Sequence, residues 1–270
     1  MNDKYFEANL KRWNELVAVH AKSDEYDLEG FLAGKSSLKS IEIEEIGDVK
    51  GKSLLHLQCH FGLDSLSWAR MGAKVTGVDF APEAVKLARE LNDQLNLDAK
   101  FIEANIYDLP EKLEEKFDIV FTSYGVLCWL PDLDKWAMMI ANFLKPGGIF
   151  FVAEFHPFAY VFNDNKDAME LEVHYNYFPQ EEPMKFVDEG SYANPDAKIE
   201  NTIDYEWTHS VSEIINSITN AGLRIEFFNE HDVSCYEQFP FAKQDKDGYY
   251  RLKNQKISIP LMFSLKAIKK

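Results

Sequence analysis

Five strand-length, largely apolar runs punctuate the chain between Ser53 and Phe155: Ser53–Gln58, Lys74–Val78, Ala99–Ala104, Phe117–Thr122 and Ile149–Phe155. Near-continuous apolar runs of this length predict strands covered on both faces, as in a parallel sheet. Helical patterns fall between several of them, at Leu63–Met71, Ala81–Asn96 and Asp134–Leu144. Pro82 sits in the first turn of the second helix, where its missing N–H costs nothing, and Lys145-Pro146-Gly147-Gly148 closes the third. The stretch Gly51–Phe80 is thus a strand–loop–helix–strand unit of the kind that builds parallel sheets. Ligands bind such sheets at the carboxyl ends of the strands, where the loop Cys59–Gly62 and the acid Asp79 both fall.

The flanks are less regular. Tyr5, Phe6, Leu10, Trp13, Leu16, Val17 and His20 make an apolar stripe that predicts an amphipathic helix over Asp3–Lys22, and Ser37–Gly47 reads as a short helix. This arm, residues 1–49, precedes the first core strand and is placed to act as a lid on a domain spanning 50–270. After Phe155 the pattern breaks into an aromatic insert at about 156–205. Within it Leu171–Phe178 and Ile199–Trp207 each look strand-like and are expected to pair as an antiparallel ribbon. A helix at Ser210–Ala221, a strand at Leu223–Phe228 and a loop over 231–256 follow. The last strand, Ile257–Ala267, contains Pro260, which predicts an edge, a bulge or a strand end.

Composition changes the picture only at the margins. A chain of 270 residues with 46% hydrophobic residues can bury a sizeable core. A formal net charge of −16 argues against nucleic acid as a partner, because phosphate binding needs a basic footprint. Cys59, Cys128 and Cys235 are odd in number and form no CxxC pair, which suits a reducing cytoplasm. No apolar run approaches the ~20 residues that span a bilayer, so no membrane role is expected. Oligomeric state is open.

The order of elements over 50–270 resembles the class I S-adenosylmethionine-dependent methyltransferases. The resemblance implies an α/β, Rossmann-like fold: a mostly parallel sheet of about seven strands, helices on both faces and a reversed last strand. In that family the first strand ends in a glycine-rich motif. Its counterpart here is Leu55-His56-Leu57-Gln58-Cys59-His60-Phe61-Gly62, in which His56 replaces the usual acid, Gln58 and His60 replace two glycines, and Gly62 survives. By carry-over Gln58, Cys59, His60 and Gly62 would line the methionine part of S-adenosylmethionine. Asp79, at the end of VTGVDF, would bond the ribose hydroxyls, with Phe80 flanking the adenine. In FIEANIYDLP, Asn105 would meet the adenine amino group and Ile106 its ring face; Ser123 and Tyr124 would line the cleft.

The fifth strand ends Glu154-Phe155-His156-Pro157. His156 is therefore a candidate general base with Glu154 as its orienter, and Tyr124 an alternative base. Trp13, Tyr26 and Trp129 are candidate walls of the acceptor pocket. Each residue has a plainer reading: Asp79 could cap a helix, Asn105 could turn a loop, and the aromatics could simply pack. His56 and His60 do not follow a known metal-ligand spacing, and no metal is expected. The expected activity is methyl transfer to a small molecule, with S-adenosylhomocysteine as product. The alternatives are a noncatalytic binding protein of the same fold, which the altered glycine motif would suit, and a nucleotide-dependent oxidoreductase.

Overall fold

In the computed structural model, which describes residues 3–253 and 257–270, the five apolar runs become β1 (Ser53–Leu57), β2 (Lys74–Asp79), β3 (Lys100–Glu103), β4 (Phe117–Ser123) and β5 (Leu144–Phe155). The arm supplies α1 (Asp3–His20), α2 (Leu28–Leu32) and α3 (Ser40–Ile46). The core helices are α4 (Leu63–Arg70), α5 (Pro82–Gln94), α6 (Leu133–Phe143) and α7 (Val211–Asn220). The remaining strands are β6 (Met184–Val187), β7 (Ile203–Glu206), β8 (Leu223–His231), β9 (Ala242–Gln244), β10 (Tyr250–Leu252) and β11 (Met262–Lys269). Seven of these strands form one sheet in the order β3-β2-β1-β4-β5-β11-β8. Pairing is parallel from β3 to β5, and β11 runs antiparallel to both of its neighbours.

Alternate residues of each central strand serve opposite faces. Leu55, Leu57, Val120, Phe150, Val152 and Leu265 pack against α6 and α7 through Trp136, Ile140, Ile214 and Ile218. Leu54, Phe121 and Phe151 face the other way, where Trp68 of α4 meets Phe121 edge-on at 5.6 Å. Both faces of β1 and β4 are dry, which is why their sequences read as unbroken apolar runs.

Three expectations need correction. The ribbon forms, but β7 pairs antiparallel with Met184–Val187, not with Leu171–Phe178, which contributes only an isolated bridge between Val173 and Phe162. The last strand begins at Met262, not Ile257, and lies between β5 and β8, so of the readings of Pro260 the strand end holds and the edge does not. The segment expected to be loop, 231–256, contains the β9–β10 hairpin, with 254–256 outside the described residues.

The arm and the ribbon are joined. Asn9 of α1 exchanges two 2.8 Å hydrogen bonds with the backbone of Tyr205 on β7. Glu15 accepts from the amides of Glu200 and Asn201. Arg12 donates to the carbonyls of Asp188, Gly190 and Asn201, and its Nε lies 2.7 Å from Asp204 Oδ2. Both are bound at the carboxyl ends of the strands.

Candidate functional site

A cavity of about 1210 Å³ opens at the carboxyl ends of β1, β2, β4 and β5 under that cover. The loop after β1 shapes one side of it. Gln58, His60 and Gly62 have φ of 55°, 48° and 81°, so the backbone turns left-handed at three alternate positions. An L side chain resists this conformation, and two of the three residues are not glycine. Hydrogen bonds hold the turn: Cys59 N to Val78 O at 2.9 Å, Gly62 N to Cys59 O at 2.9 Å, and His60 N to Asp79 Oδ2 at 2.7 Å. Gly62 must remain glycine, since a Cβ there would stand 2.7 Å from the Phe101 ring.

Asp79 ends β2 against this loop. Its Oδ1 accepts from Ala81 N at 2.9 Å, so each oxygen takes one backbone amide and keeps further lone pairs for a ligand. Burial pushes its carboxyl up to about 6, against the pull of the amides it accepts from. At neutral pH it is chiefly ionised. Asn105 turns its loop as well as lining the cavity: its Oδ1 accepts from Tyr107 N at 3.1 Å, leaving the amide N–H groups uncommitted to that turn. Ile106 is buried beside it and Phe80 is half-buried, both on the cavity wall.

The loop after β4 makes the opposite lip. Glu154, buried on β5, accepts four backbone amides: Gly125 at 2.5 Å, Val126 at 2.7 Å, Leu127 at 3.1 Å and its own neighbour Phe155 at 2.6 Å. Glu154 therefore sets the shape of the β4 turn and does not orient His156. Gln58 adds a second tie, its Nε2 donating to Val126 O at 3.0 Å. Ser123 donates to Asp64 Oδ2 at 3.0 Å, and both line the cavity. The Tyr124 hydroxyl donates to Glu42 Oε2 at 2.6 Å. Burial and that neighbouring carboxylate hold the phenol well above its ordinary range, so Tyr124 is a donor and not a base at neutral pH.

His156 is not brought to the cavity, although Phe155 and Pro157 on either side of it line the wall. Its Nδ1 accepts from Phe158 N at 3.1 Å and its Nε2 lies 3.0 Å from Glu230 Oε1 on β8. The sheet register decides this: β11 pairs with β5 and delivers Phe263 and the β8 edge to that side of the strand end. His56 is also turned inward, with Nδ1 2.8 Å from Ser65 Oγ, and burial lowers its pKa to about 4.

The cover completes the site. His60 Nε2 lies 3.0 Å from His20 Nδ1, and His20 Nε2 lies 2.7 Å from Ser191 Oγ, linking core loop, arm and insert. Burial lowers both imidazoles, His20 to about 4, so neither is charged at pH 7. Trp13 packs edge-on against Trp129 at 5.3 Å and against His60 at 5.4 Å. Tyr26 stacks on His20 at 5.0 Å and its hydroxyl meets that of Tyr192. All three proposed aromatic walls thus line the cavity. Sequence reading missed Asp64, His20, Arg12, Asp204 and Glu206, which line or close it. The two acids of β7 carried a signal: residues i and i+2 of a strand share one face.

Comparison with known proteins agrees with this geometry. Residues 55–152 match the model of a family described as a methyltransferase domain. The ubiquinone biosynthesis O-methyltransferase of Photorhabdus laumondii is 29% identical over 172 residues, covering 62% of this chain and 63% of that protein. Its counterpart in Xanthomonas oryzae is 36% identical over 106 residues, 39% of this chain and 44% of that one. The chain therefore spans less than two thirds of the length of these curated relatives. Among solved structures, an S-adenosylmethionine-dependent methyltransferase from Mesorhizobium loti superposes with a TM-score of 0.57 at 17% identity, covering 88% of this chain and 99% of that one. Another from Clostridium acetobutylicum gives 0.55 at 15% identity, covering 97% and 98%. The sheet order and the reversed β11 give the chain the fold of these solved methyltransferases, and residues 55–152 within it match a methyltransferase domain.

Proposed function

We propose that the protein is an S-adenosylmethionine-dependent methyltransferase acting on a small-molecule acceptor. The observation that carries this reading is the β1 loop. Its backbone keeps a left-handed turn at 58, 60 and 62 although two glycines are gone, and it delivers His60 N to Asp79. That backbone supports reading the loop as a nucleoside site whose side chains have changed. Asp79 would take the ribose hydroxyls on its remaining lone pairs. Ile106 and Phe80 would flank the adenine and Asn105 would meet its polar edge, while Gln58, Cys59, His60 and Gly62 would border the methionine part. Ser123 would line the same cleft.

The bound sulfonium supplies its own electrophilic methyl group. What the chain must do is hold the acceptor in line and exclude water. Arm residues 1–49 and the insert at about 156–205 act as the lid of the 50–270 domain, a role supported by the His20–His60–Ser191 linkage. Trp13, Tyr26 and Trp129 form part of its inner wall. The volume favours two occupants, since about 1210 Å³ exceeds the roughly 300–1,000 Å³ of a pocket for one small ligand. The net charge of −16 favours a small neutral or cationic acceptor over nucleic acid. Three free cysteines suit a cytoplasmic setting.

Calorimetric titration with S-adenosylhomocysteine tests the reading. Saturable binding is expected, weakened by Asp79→Ala by about tenfold or more without unfolding, as the loss of charge-assisted hydrogen bonds implies. Failure to bind at millimolar concentration would overturn it.

A further inference from the structure

One wall of the cavity is unlike the rest. Ribbon strand β7 contributes Asp204 and Glu206, the stretch after β5 contributes Tyr160 and Asp164, and the loop after β8 contributes Tyr236 and Gln238. Trp207 N donates to Cys128 O at 2.7 Å, which pins this strand to the turn after β4, beside the cleft assigned to the cofactor.

The wall has more acceptors than donors to meet them. Asp204 is buried, and while Oδ2 holds Arg12, Oδ1 has no partner among the described residues. Gln238 is 6% exposed and its Oε1 is likewise unpartnered among them. Glu206 is half-buried, and burial foremost, then Asp204, Asp164 and Asp188, pushes its carboxyl up to about 8, with Arg12 opposing. A buried acceptor without a donor, and a carboxylate crowded by others, both cost free energy that a cation with N–H groups would recover. The aromatic rings point the same way: Phe155 lies 4.6 Å from the Tyr236 ring and 6.2 Å from that of Tyr160, and such faces attract organic cations. A metal ion is the poorer fit, because no group of three His, Cys, Asp or Glu among the described residues converges closely enough to hold one.

We infer that this wall receives the acceptor as a protonated amine, with Glu206, Asp204 Oδ1 and Gln238 Oε1 taking its N–H groups and Tyr160 and Tyr236 against its carbon body. The inference rests on the methyltransferase reading for the word acceptor, but not for the amine site itself. An ammonium nitrogen has no lone pair to offer a methyl group. The bound ammonium charge draws Glu206 into its ionised form, its proton passing to solvent, and Glu206 then also serves as the base: its carboxylate takes one ammonium proton, the N–H bond breaks, and the electron pair stays on nitrogen.

The test is calorimetry on the full chain with three probes of one shape, 2-phenylethylamine, 2-phenylethanol and 3-phenylpropionate, and separately with S-adenosylhomocysteine. The amine is expected to bind at least about tenfold more tightly than the alcohol, and the carboxylate most weakly. Glu206→Gln should remove most of the preference for the amine while leaving S-adenosylhomocysteine affinity as it was, and Gln238→Leu should lower amine affinity independently. An amine that binds no better than the alcohol, or a preference that survives both substitutions, overturns the amine site. Loss of S-adenosylhomocysteine binding with the amine preference intact would instead overturn the methyltransferase reading and leave the site standing.

Discussion

Gln58 and His60 occupy a backbone conformation that glycine adopts freely and other residues resist, at about 1–3 kcal/mol each. Each has a side-chain contact that offsets part of this cost: Gln58 reaches Val126 O, and His60 reaches His20. Substitution should separate the two effects. Gln58→Gly relieves the backbone but forfeits a hydrogen bond of about 1 kcal/mol, so its stability in urea should stay within about 1 kcal/mol of the parent. Gln58→Ala keeps the strain and loses the bond, and should fall below both. Gly62→Ala combines φ of 81° with a Cβ driven into Phe101, and should cost about 2 kcal/mol or more. Equal stability of Gln58→Ala and Gln58→Gly would show that the left-handed turn carries no strain.

The arm and the ribbon behave as one element because a buried ion pair and a set of carbonyl contacts join them through Arg12. Both side chains of the Arg12–Asp204 pair are 6% exposed. Arg12→Met leaves Asp204 as a buried carboxylate with no partner, a defect worth about 3–5 kcal/mol when it cannot be relieved. Here it can be relieved by undocking the arm. The expected outcome is faster tryptic cleavage at Lys22, Lys35 or Lys39 with little change in the urea midpoint of the sheet; unchanged cleavage would mean the arm is held elsewhere. This element also marks where sequence reading stopped. The parallel strands, α4 to α7 and the positions of Asp79 and Asn105 were legible because local periodicity and turn residues specify them. The partner of β7 was not, since Met184–Val187 is four residues long, follows Pro183 and carries no distinctive pattern. Nor was the orientation of His156, which depends on how β11 registers against β5, or the His20–His60 contact, which exists only once α1 docks. Reading the β5 end as Glu154 orienting His156 followed adjacency in sequence, whereas the structure sends the two side chains to different partners.

For the molecule as a whole, the buried ionisable groups divide into two classes that act in different pH windows. His20 and His56 are held down to about 4 from an ordinary 6.5, so their contribution is complete above pH 6.5 and is lost on acidification toward 4. Glu42 and Glu206 are raised from 4.5 to about 7 and about 8, chiefly by burial and then by neighbouring carboxylates. A carboxyl raised in the folded state binds more protons there than when unfolded, so its contribution is complete below pH 4.5 and is lost as pH rises through the folded value. Above pH 6.5 the histidines are silent and only the second class titrates. Urea stability should therefore fall between pH 6.5 and 8.5, by about 2 kcal/mol, since a full proton difference is worth about 1.4 kcal/mol per pH unit. The net charge of −16 would also weaken the fold as pH rises, but through repulsion between exposed charges that salt screens. The two causes part in 0.5 M sodium chloride, where surface repulsion is damped and the desolvation of Glu42 and Glu206 is not. The fall should persist in salt and shrink by about two thirds in Glu206→Gln. A fall abolished by salt in the parent protein would assign it to the surface, and would mean that Glu206 is already ionised and solvated near its ordinary value.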